Sequence, residues 1–302
     1  MNVLISGSTG LVGTALIPKL TAAGHEVRRL VRSRSKSPAG EMVHWNPDAS
    51  YVDAAGLEGL DALVHLAGEG IATGRWNALK KARIRDSRVL GTRLLCDTLA
   101  QTSQPPKVLV CASAIGYYGS RGDELLDEHS SPGTDFLATV CQAWEAAADP
   151  ARKKGIRVVH ARFGVILSTA GGALAKMLLP FQLGVGGVVG NGRQYMSWVT
   201  LDDVVSAILH ALENDDLAGP VNFVSPHPAT NREFTKALGS AVHRPTIFAV
   251  PALAARLAFG EMADALLLSS ARVLPNRLQK SGFQFEHAEL GPALRHVLKR
   301  RA

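Results

Sequence analysis

The chain has few cysteines and no long hydrophobic run. Its 302 residues include Cys96, Cys111 and Cys141, whose spacing does not match a metal site. An odd number of scattered cysteines fits a reducing compartment better than a disulfide-stabilised fold. No apolar run reaches the roughly 20 residues of a membrane helix, and the N-terminus shows a strand pattern and not a signal peptide. We therefore expect a cytoplasmic protein with no membrane partner.

Charged residues are also few, at 20%, against 46% hydrophobic residues, which excludes a disordered chain. The formal net charge of +7 is typical of some nucleic-acid-binding proteins. The positive residues are spread along the chain, however, and the densest group lies at 28–36. We therefore expect a small-molecule partner with negative charge and no nucleic acid. The ten histidines follow no metal-binding motif, so no metal site is predicted.

The start of the chain has the pattern of a nucleotide-binding unit. Residues 3–5 predict a buried strand, three glycines follow at intervals of three, and 11–23 predict a helix. Glycines let a pyrophosphate approach the N–H groups at a helix N-terminus. An ordinary glycine-rich turn is the alternative, but the second strand predicted at 26–31 favours a dinucleotide site. The predicted contacts are Gly7, Thr9, Gly10, Leu11, Val12 and Gly13.

The residues after the second strand distinguish NADP from NAD. NAD sites usually carry an acidic residue here, whereas NADP sites carry an arginine that meets the 2′-phosphate. This chain has Arg32, Ser33 and Arg34 at that place and no acid. We predict NADP(H) as the cofactor, with Arg32 as the main contact and Ser33 in support. A solvated basic loop is the alternative.

Alternating strand and helix patterns predict an α/β fold, a Rossmann doubly wound parallel sheet with a smaller C-terminal substrate-cap domain. Residues 1–167 and 197–224 are expected to form the NADP-binding domain, and 168–196 with 225–302 the mostly helical cap. One continuous strand is predicted over 158–167. Asp202 is predicted to cap the helix that follows it.

Two stretches resemble the extended branch of the short-chain dehydrogenase/reductase superfamily. The glycine spacing is Gly-x-x-Gly-x-x-Gly, and residues 61–70 read DALVHLAGEG. In that branch the second stretch flanks the cofactor. The resemblance therefore implies that the dinucleotide is lined by Leu66, Ala67 and Gly68.

The same resemblance suggests a catalytic region. Ser113 follows a predicted strand, at the place where these enzymes carry a catalytic serine or threonine. Arg88 replaces an asparagine that supports the active site, and either faces an anionic ligand or is a surface arginine. Arg162 resembles a residue that borders the active crevice.

The Tyr-x-x-x-Lys pair of the superfamily has no match. Alignment on Glu145 puts Leu137 and Cys141 at the two positions, and neither can transfer a proton as tyrosine and lysine do. Tyr117 and Tyr118 are the candidates for the displaced acid. Packing beside the cofactor is the alternative role for both.

Further segments, including SAIGYYG, DFLATVCQAWE and SWVTLDD, resemble epimerase-family proteins of the YfcH type over essentially the whole chain. The resemblance implies an NADP-binding Rossmann domain without the Tyr-x-x-x-Lys pair. We expect an atypical oxidoreductase or epimerase-like protein that acts on a small carbonyl or hydroxyl compound. A non-catalytic NADP(H)-binding redox sensor or regulator is the alternative, and a homodimer is left open.

Overall fold

The computed structural model describes residues 1–32 and 42–299. The strands are β1 Asn2–Ser6, β2 Glu26–Val31, β3 Met42–Asn46, β4 Tyr51–Val52, β5 Ala62–His65, β6 Val108–Ala114, β7 Leu125–Leu126, β8 Arg157–Phe163, β9 Val165–Leu167, β10 Gly187–Val189, β11 Tyr195–Met196, β12 Trp198–Thr200, β13 Gly219–Phe223, β14 Ala229–Thr230, β15 Phe248–Val250 and β16 Arg272–Val273. The helices are α1 Leu11–Ala22, α2 Ala78–Gln101, α3 Phe136–Ala146, α4 Asp149–Lys153, α5 Gly172–Gln182, α6 Leu201–Glu213, α7 Asn231–Ala241, α8 Ala252–Phe259, α9 Glu261–Leu266, α10 Asn276–Lys280 and α11 Leu290–Lys299.

An eight-stranded sheet forms the centre, in the order β13-β8-β6-β5-β1-β2-β3-β4. Neighbouring strands are parallel except β4, which pairs antiparallel with β3. Ser6, His65, Cys111 and His160 are successive partners across β1, β5, β6 and β8. The segments that follow these strands therefore meet at the same carboxyl edge, where α/β proteins bind their ligands.

Helices cover both faces of the sheet. On one face, Leu16 of α1 and Ile208 of α6 pack against strand residues such as Val3. On the other, Leu95 of α2 and Trp144 of α3 pack against residues such as Leu4. Because consecutive strand residues point to opposite faces, the apolar run at 3–5 supplies both layers. The predicted doubly wound Rossmann fold is confirmed.

A separate apolar cluster joins α5, α7 and α11 around the fully buried Trp198. Leu278 and Phe283, by contrast, pack with the core of the main sheet although they lie in the predicted cap segment. The division into two domains stays a prediction. No helix within 1–32 and 42–299 is long and apolar enough to cross a membrane.

Two local predictions are wrong. The strand predicted over 158–167 is broken at Gly164, where a Cβ would lie 2.5 Å from the Ser197 carbonyl oxygen. The chain leaves the main sheet there, and β9 pairs with β12. The N-cap of α6 is Thr200, whose side chain accepts from the Asp203 N–H, so Asp202 lies within the first turn of the helix. Side-chain identity alone could not separate these two capping residues.

Candidate active site

A cleft of about 450 Å³ opens at the carboxyl edge of β1, β2 and β5. Its floor is the turn between β1 and α1, and its walls come from the segments after β2, β3 and β5. The lining residues are Gly7, Ser8, Thr9, Gly10, Leu30, Val31, Arg32, Trp45, Pro47, Asp48, Leu66, Ala67, Gly68, Glu69 and Ser87. Such a cleft at the point where strand order reverses is where this fold class binds ligands.

The glycines of the floor are required by close backbone contacts. Gly7 has φ +68°, and a Cβ there would lie 2.8 Å from the carbonyl carbon of Leu66. A Cβ at Gly13 would lie 2.4 Å from the Gly7 carbonyl oxygen. The Gly10 N–H donates to that same oxygen at 2.9 Å, and Gly10 is the N-cap of α1. The turn therefore leaves the start of α1 accessible to an anion.

Ser6 fixes the opposite wall of the cleft. Its Oγ accepts hydrogen bonds from the N–H groups of Leu66 (3.0 Å) and Ala67 (3.2 Å). It also contacts His65 Nδ1 at 2.6 Å. Because Oγ already accepts two N–H groups, its own proton goes to Nδ1, which leaves the proton of the neutral ring on Nε2.

His65 extends this series of hydrogen bonds into the interior. Its Nε2 lies 3.0 Å from Thr92 Oγ1, and Trp144 Nε1 donates to the same hydroxyl at 2.9 Å. Burial lowers the pKa of His65 to about 4, so the ring is neutral at physiological pH. The Leu66–Ala67 wall is therefore held by a buried chain of hydrogen bonds that reaches α2 and α3.

Charged residues stand at both ends of the cleft. At one end are the exposed side chains of Arg32 and Asp48. At the other, Glu69 Oε1 accepts from Lys80 Nζ at 2.6 Å, and this bond lowers the pKa of Glu69. Arg88 donates to the Glu69 carbonyl oxygen at 3.0 Å, and its guanidinium lies 5.0 Å from the Trp144 ring.

A second set of polar residues lies at the carboxyl ends of β6 and β8. Ser113 Oγ donates to Glu145 Oε1 at 2.7 Å, and Arg162 binds both oxygens of the same carboxylate at 2.8 Å. Arg162 also donates to the Tyr118 hydroxyl at 3.0 Å, which donates in turn to Asn222 Oδ1 at 2.7 Å. Buried ion pairs of this bidentate kind fix geometry strongly.

The two tyrosines differ in their surroundings. Tyr118 is fully buried, and burial raises its pKa to about 12. Tyr117 is partly exposed, and the Arg162 guanidinium lies 3.5 Å from the centre of its ring. Leu137 and Cys141 of α3 lie beside Gly116, within 3.4 and 3.8 Å of where its Cβ would be. Burial raises the pKa of Cys141 to about 12, which keeps the thiol protonated.

Residues 3–224 match the model of the NAD dependent epimerase/dehydratase family. The chain belongs to that family. Residues 250–297 of this epimerase-family protein match a second model, described as a domain of unknown function, DUF1731. The predicted membership of the atypical extended short-chain dehydrogenases/reductases is confirmed.

Its relatives cover the whole chain. Epimerase family protein Mb2239 of Mycobacterium bovis is 46% identical over 299 residues, 99% of this chain and 98% of that protein. Epimerase family protein SDR39U1 of Homo sapiens is 38% identical over 303 residues, 99% of this chain and 100% of that protein. The crystal structure of human SDR39U1 (isoform2) with NADPH superimposes with a TM-score of 0.89 at 36% identity and covers 99% of both chains.

The structure gathers many of the predicted binding residues of this epimerase-family protein around one cleft. Those that line it are Gly7, Thr9, Gly10, Arg32, Leu66, Ala67 and Gly68. Leu11, Val12 and Gly13 continue from the floor into α1, and Gly13 is buried. Ser33 lies outside the described residues. Arg88 borders the cleft through Glu69, whereas Ser113, Tyr117, Tyr118 and Arg162 form the second set.

Sequence reasoning missed part of the site. Trp45, Pro47 and Asp48 line the cleft because β3 ends beside β2. Local sequence patterns do not show which strands are neighbours, so they could not identify these three residues. Glu145 was used only to align the helix with the Tyr-x-x-x-Lys motif, yet its carboxylate binds both Ser113 and Arg162. A carboxylate that lies 32 residues from one partner and 17 from the other has no local sequence signature.

Proposed function

We propose that the cofactor of this protein is NADP(H). The observation that carries the proposal is Arg32 at the end of β2, in the same cleft as the glycine turn. The pyrophosphate would be held by the N–H groups at the start of α1, and the 2′-phosphate by Arg32. The bound NADPH of human SDR39U1, a relative that matches the whole chain, supports the same choice.

The residues of the cleft fit a dinucleotide. A Cβ at Gly7 or Gly13 would collide with backbone atoms, so the turn keeps its compact form only with glycine. The cleft volume of about 450 Å³ falls within the range of small-molecule and cofactor sites. Asp48, which lines the same cleft, points the other way, since a carboxylate that reached the ribose would favour a 2′-hydroxyl.

A pair of variants tests the choice between the two cofactors. Binding of NADPH and NADH is measured by nicotinamide fluorescence with wild type, Arg32→Ala and Asp48→Asn. Loss of a charge-assisted contact of about 1.5–3 kcal/mol predicts a roughly 10- to 100-fold weaker NADPH affinity in Arg32→Ala and little change for NADH. Asp48→Asn should leave NADPH affinity equal or higher. Tighter binding of NADH than of NADPH by wild type would contradict the proposal.

We further propose an oxidoreductase or epimerase-like reaction on a small carbonyl or hydroxyl compound. A bound nicotinamide supplies or accepts a hydride. For reduction of a carbonyl, the oxygen must gain one proton, so the chain must offer a donor near the carboxyl edge of β6. Ser113 lies at that edge, and its hydroxyl is oriented by Glu145.

Tyr117 is the better candidate for the proton donor of the two tyrosines. It is partly exposed, whereas the Tyr118 hydroxyl already contacts both Arg162 and Asn222 in the interior. The guanidinium over the Tyr117 ring would supply the positive charge that lysine gives in the usual pair. In this proposal Tyr118 and Arg162 position the reacting groups.

A non-catalytic redox sensor is the second candidate, favoured by a specific observation. Ser113 is 2% exposed and its proton is directed to Glu145, so its hydroxyl is engaged inside the protein. A protein that only binds the dinucleotide would need no free hydroxyl there.

Hydride exchange separates the two functions. The protein is incubated with deuterated NADPH and a panel of carbonyl compounds, and deuterium transfer is followed by mass spectrometry. Catalysis predicts transfer that falls by two decades or more in Ser113→Ala and Tyr117→Phe, the usual size of acid–base contributions. Tyr118→Phe, the matched control, should keep a larger share of the rate. Transfer that is unchanged in Ser113→Ala would overturn the assigned roles.

A further inference from the structure

Three side chains of metal-binding type meet beside the first turn of α6. Asp202 is in that turn, His287 precedes α11, and His296 is in α11. One ligand atom of each lies within 4.8 Å of the others, and all three residues are partly exposed. They are 85 and 9 residues apart in the sequence, so no motif could indicate the cluster.

The contacts inside the cluster leave one buried ring nitrogen without a hydrogen-bond partner among the described residues. His296 Nε2 lies 3.1 Å from Asp202 Oδ2, and the two imidazole rings stand 4.1 Å apart at an angle of 32°. His287 Nε2 is buried and has no hydrogen-bond partner among the residues that the structure describes. A buried polar atom of this kind needs an explanation, and a metal ion would satisfy it.

The backbone that carries His287 is fixed to α6. The N–H groups of Glu286 and His287 donate to the buried Asp203 carboxylate at 2.8 and 3.2 Å. Thr200 Oγ1 donates to the same carboxylate at 2.8 Å. Contacts that hold metal ligands in place raise the affinity of a site, so this anchoring of the His287 backbone favours metal binding.

We propose that Asp202, His287 and His296 bind a divalent transition-metal ion, and that Zn²⁺ suits the set best. Two imidazoles and one carboxylate are a ligand combination of zinc sites, with solvent in the fourth position. Bonds of about 2.0–2.2 Å put tetrahedral ligand atoms roughly 3.5 Å apart, so the three atoms, which lie within 4.8 Å of one another, would have to move closer on binding. The ion would tie α11 to α6, and so join the segments 250–297 and 3–224 that match separate family models.

Metal titration of the full chain without an affinity tag tests the site. Co²⁺ is added to dialysed protein and followed by visible absorption, and Zn²⁺ is then used as a competitor. We expect one ion per chain, displacement of Co²⁺ by Zn²⁺, and a higher melting temperature with Zn²⁺. His287→Gln and His296→Gln should each weaken binding at least about tenfold and abolish the rise in melting temperature.

His227→Gln is the matched control. His227 Nε2 lies 3.3 Å from Glu289 Oε1 on an exposed surface, as His296 lies beside Asp202, but no third ligand within 1–32 and 42–299 joins it. This variant should bind Co²⁺ as wild type does. Circular dichroism verifies that each variant is folded, and Asp202→Asn replaces any variant that is not. The proposal is overturned if folded wild type binds no ion, or if His227→Gln and His287→Gln lose affinity equally.

Discussion

Burial holds the imidazole of His65 neutral, and this makes the stability of the protein depend on pH. The pKa of His65 is about 4 in the folded state, below the ordinary 6.5. Between these values the unfolded chain binds a proton that the folded chain does not, so stability rises with pH through this window and is lost as pH falls.

His65→Gln removes the titrating group and tests this statement. Urea unfolding near pH 7 and pH 4.5 measures the free energy of unfolding. The wild type should lose roughly 2–3 kcal/mol more than the variant between the two values, since one pKa unit is about 1.4 kcal/mol. An equal loss in both proteins would show that His65 does not carry the pH dependence.

Local patterns predicted single residues where backbone geometry sets the requirement, and failed where partners are distant. Gly7 and Gly13 were predicted because only glycine fits such close turns. The engagement of Ser113 with Glu145 was not predicted, because the pair depends on how α3 packs beside β6. The cluster of Asp202, His287 and His296 arises only from the docking of α11.

At the level of elements, the start of α6 shows which polar side chain caps a helix. Thr200 Oγ1 accepts from the Asp203 N–H at 3.1 Å and is buried, whereas Asp202 makes a partly exposed contact with the His296 ring. Thr200→Ala should therefore cost about 1–2 kcal/mol, at the upper end for lost caps. Asp202→Ala should cost under about 1 kcal/mol, because polar contacts near the surface contribute at most about that much even when both groups are charged. Thermal and urea unfolding measure both, and the reverse order would contradict the assignment.

Strands at the centre of the main sheet were predictable where they are apolar runs bounded by turn residues, as in β5 and β6. The segment after β8 was not, because Gly164 is forced by the approach of Ser197 from another element. Periodicity describes one element at a time, so it cannot locate the point at which a strand leaves its sheet.

At the scale of the whole molecule, the C-terminal segment contributes to two cores. Val297 of α11 packs around Trp198, while Leu278 and Phe283 pack with α6 and the main sheet. The Phe283 ring stands 4.9 Å from Phe285 and 5.5 Å from His210 of α6. A segment shared in this way couples the stabilities of the two regions it contacts, because unfolding of either region disrupts the packing of the segment on the other.

We therefore expect one cooperative unfolding transition and not two. Fluorotryptophan NMR during urea titration resolves the indole of Trp198 in the smaller cluster from Trp45 and Trp144 beside the main sheet. All three signals should disappear at one midpoint. Phe283→Ala should lower that common midpoint, because removing a large aromatic side chain from a core reduces the free energy of unfolding by about 3–5 kcal/mol. If Trp198 alone responded to the substitution, or unfolded at its own midpoint, the C-terminal segment and the cluster around Trp198 would form an independent domain. Its boundary would differ from the predicted one, which places residue 198 in the NADP-binding domain.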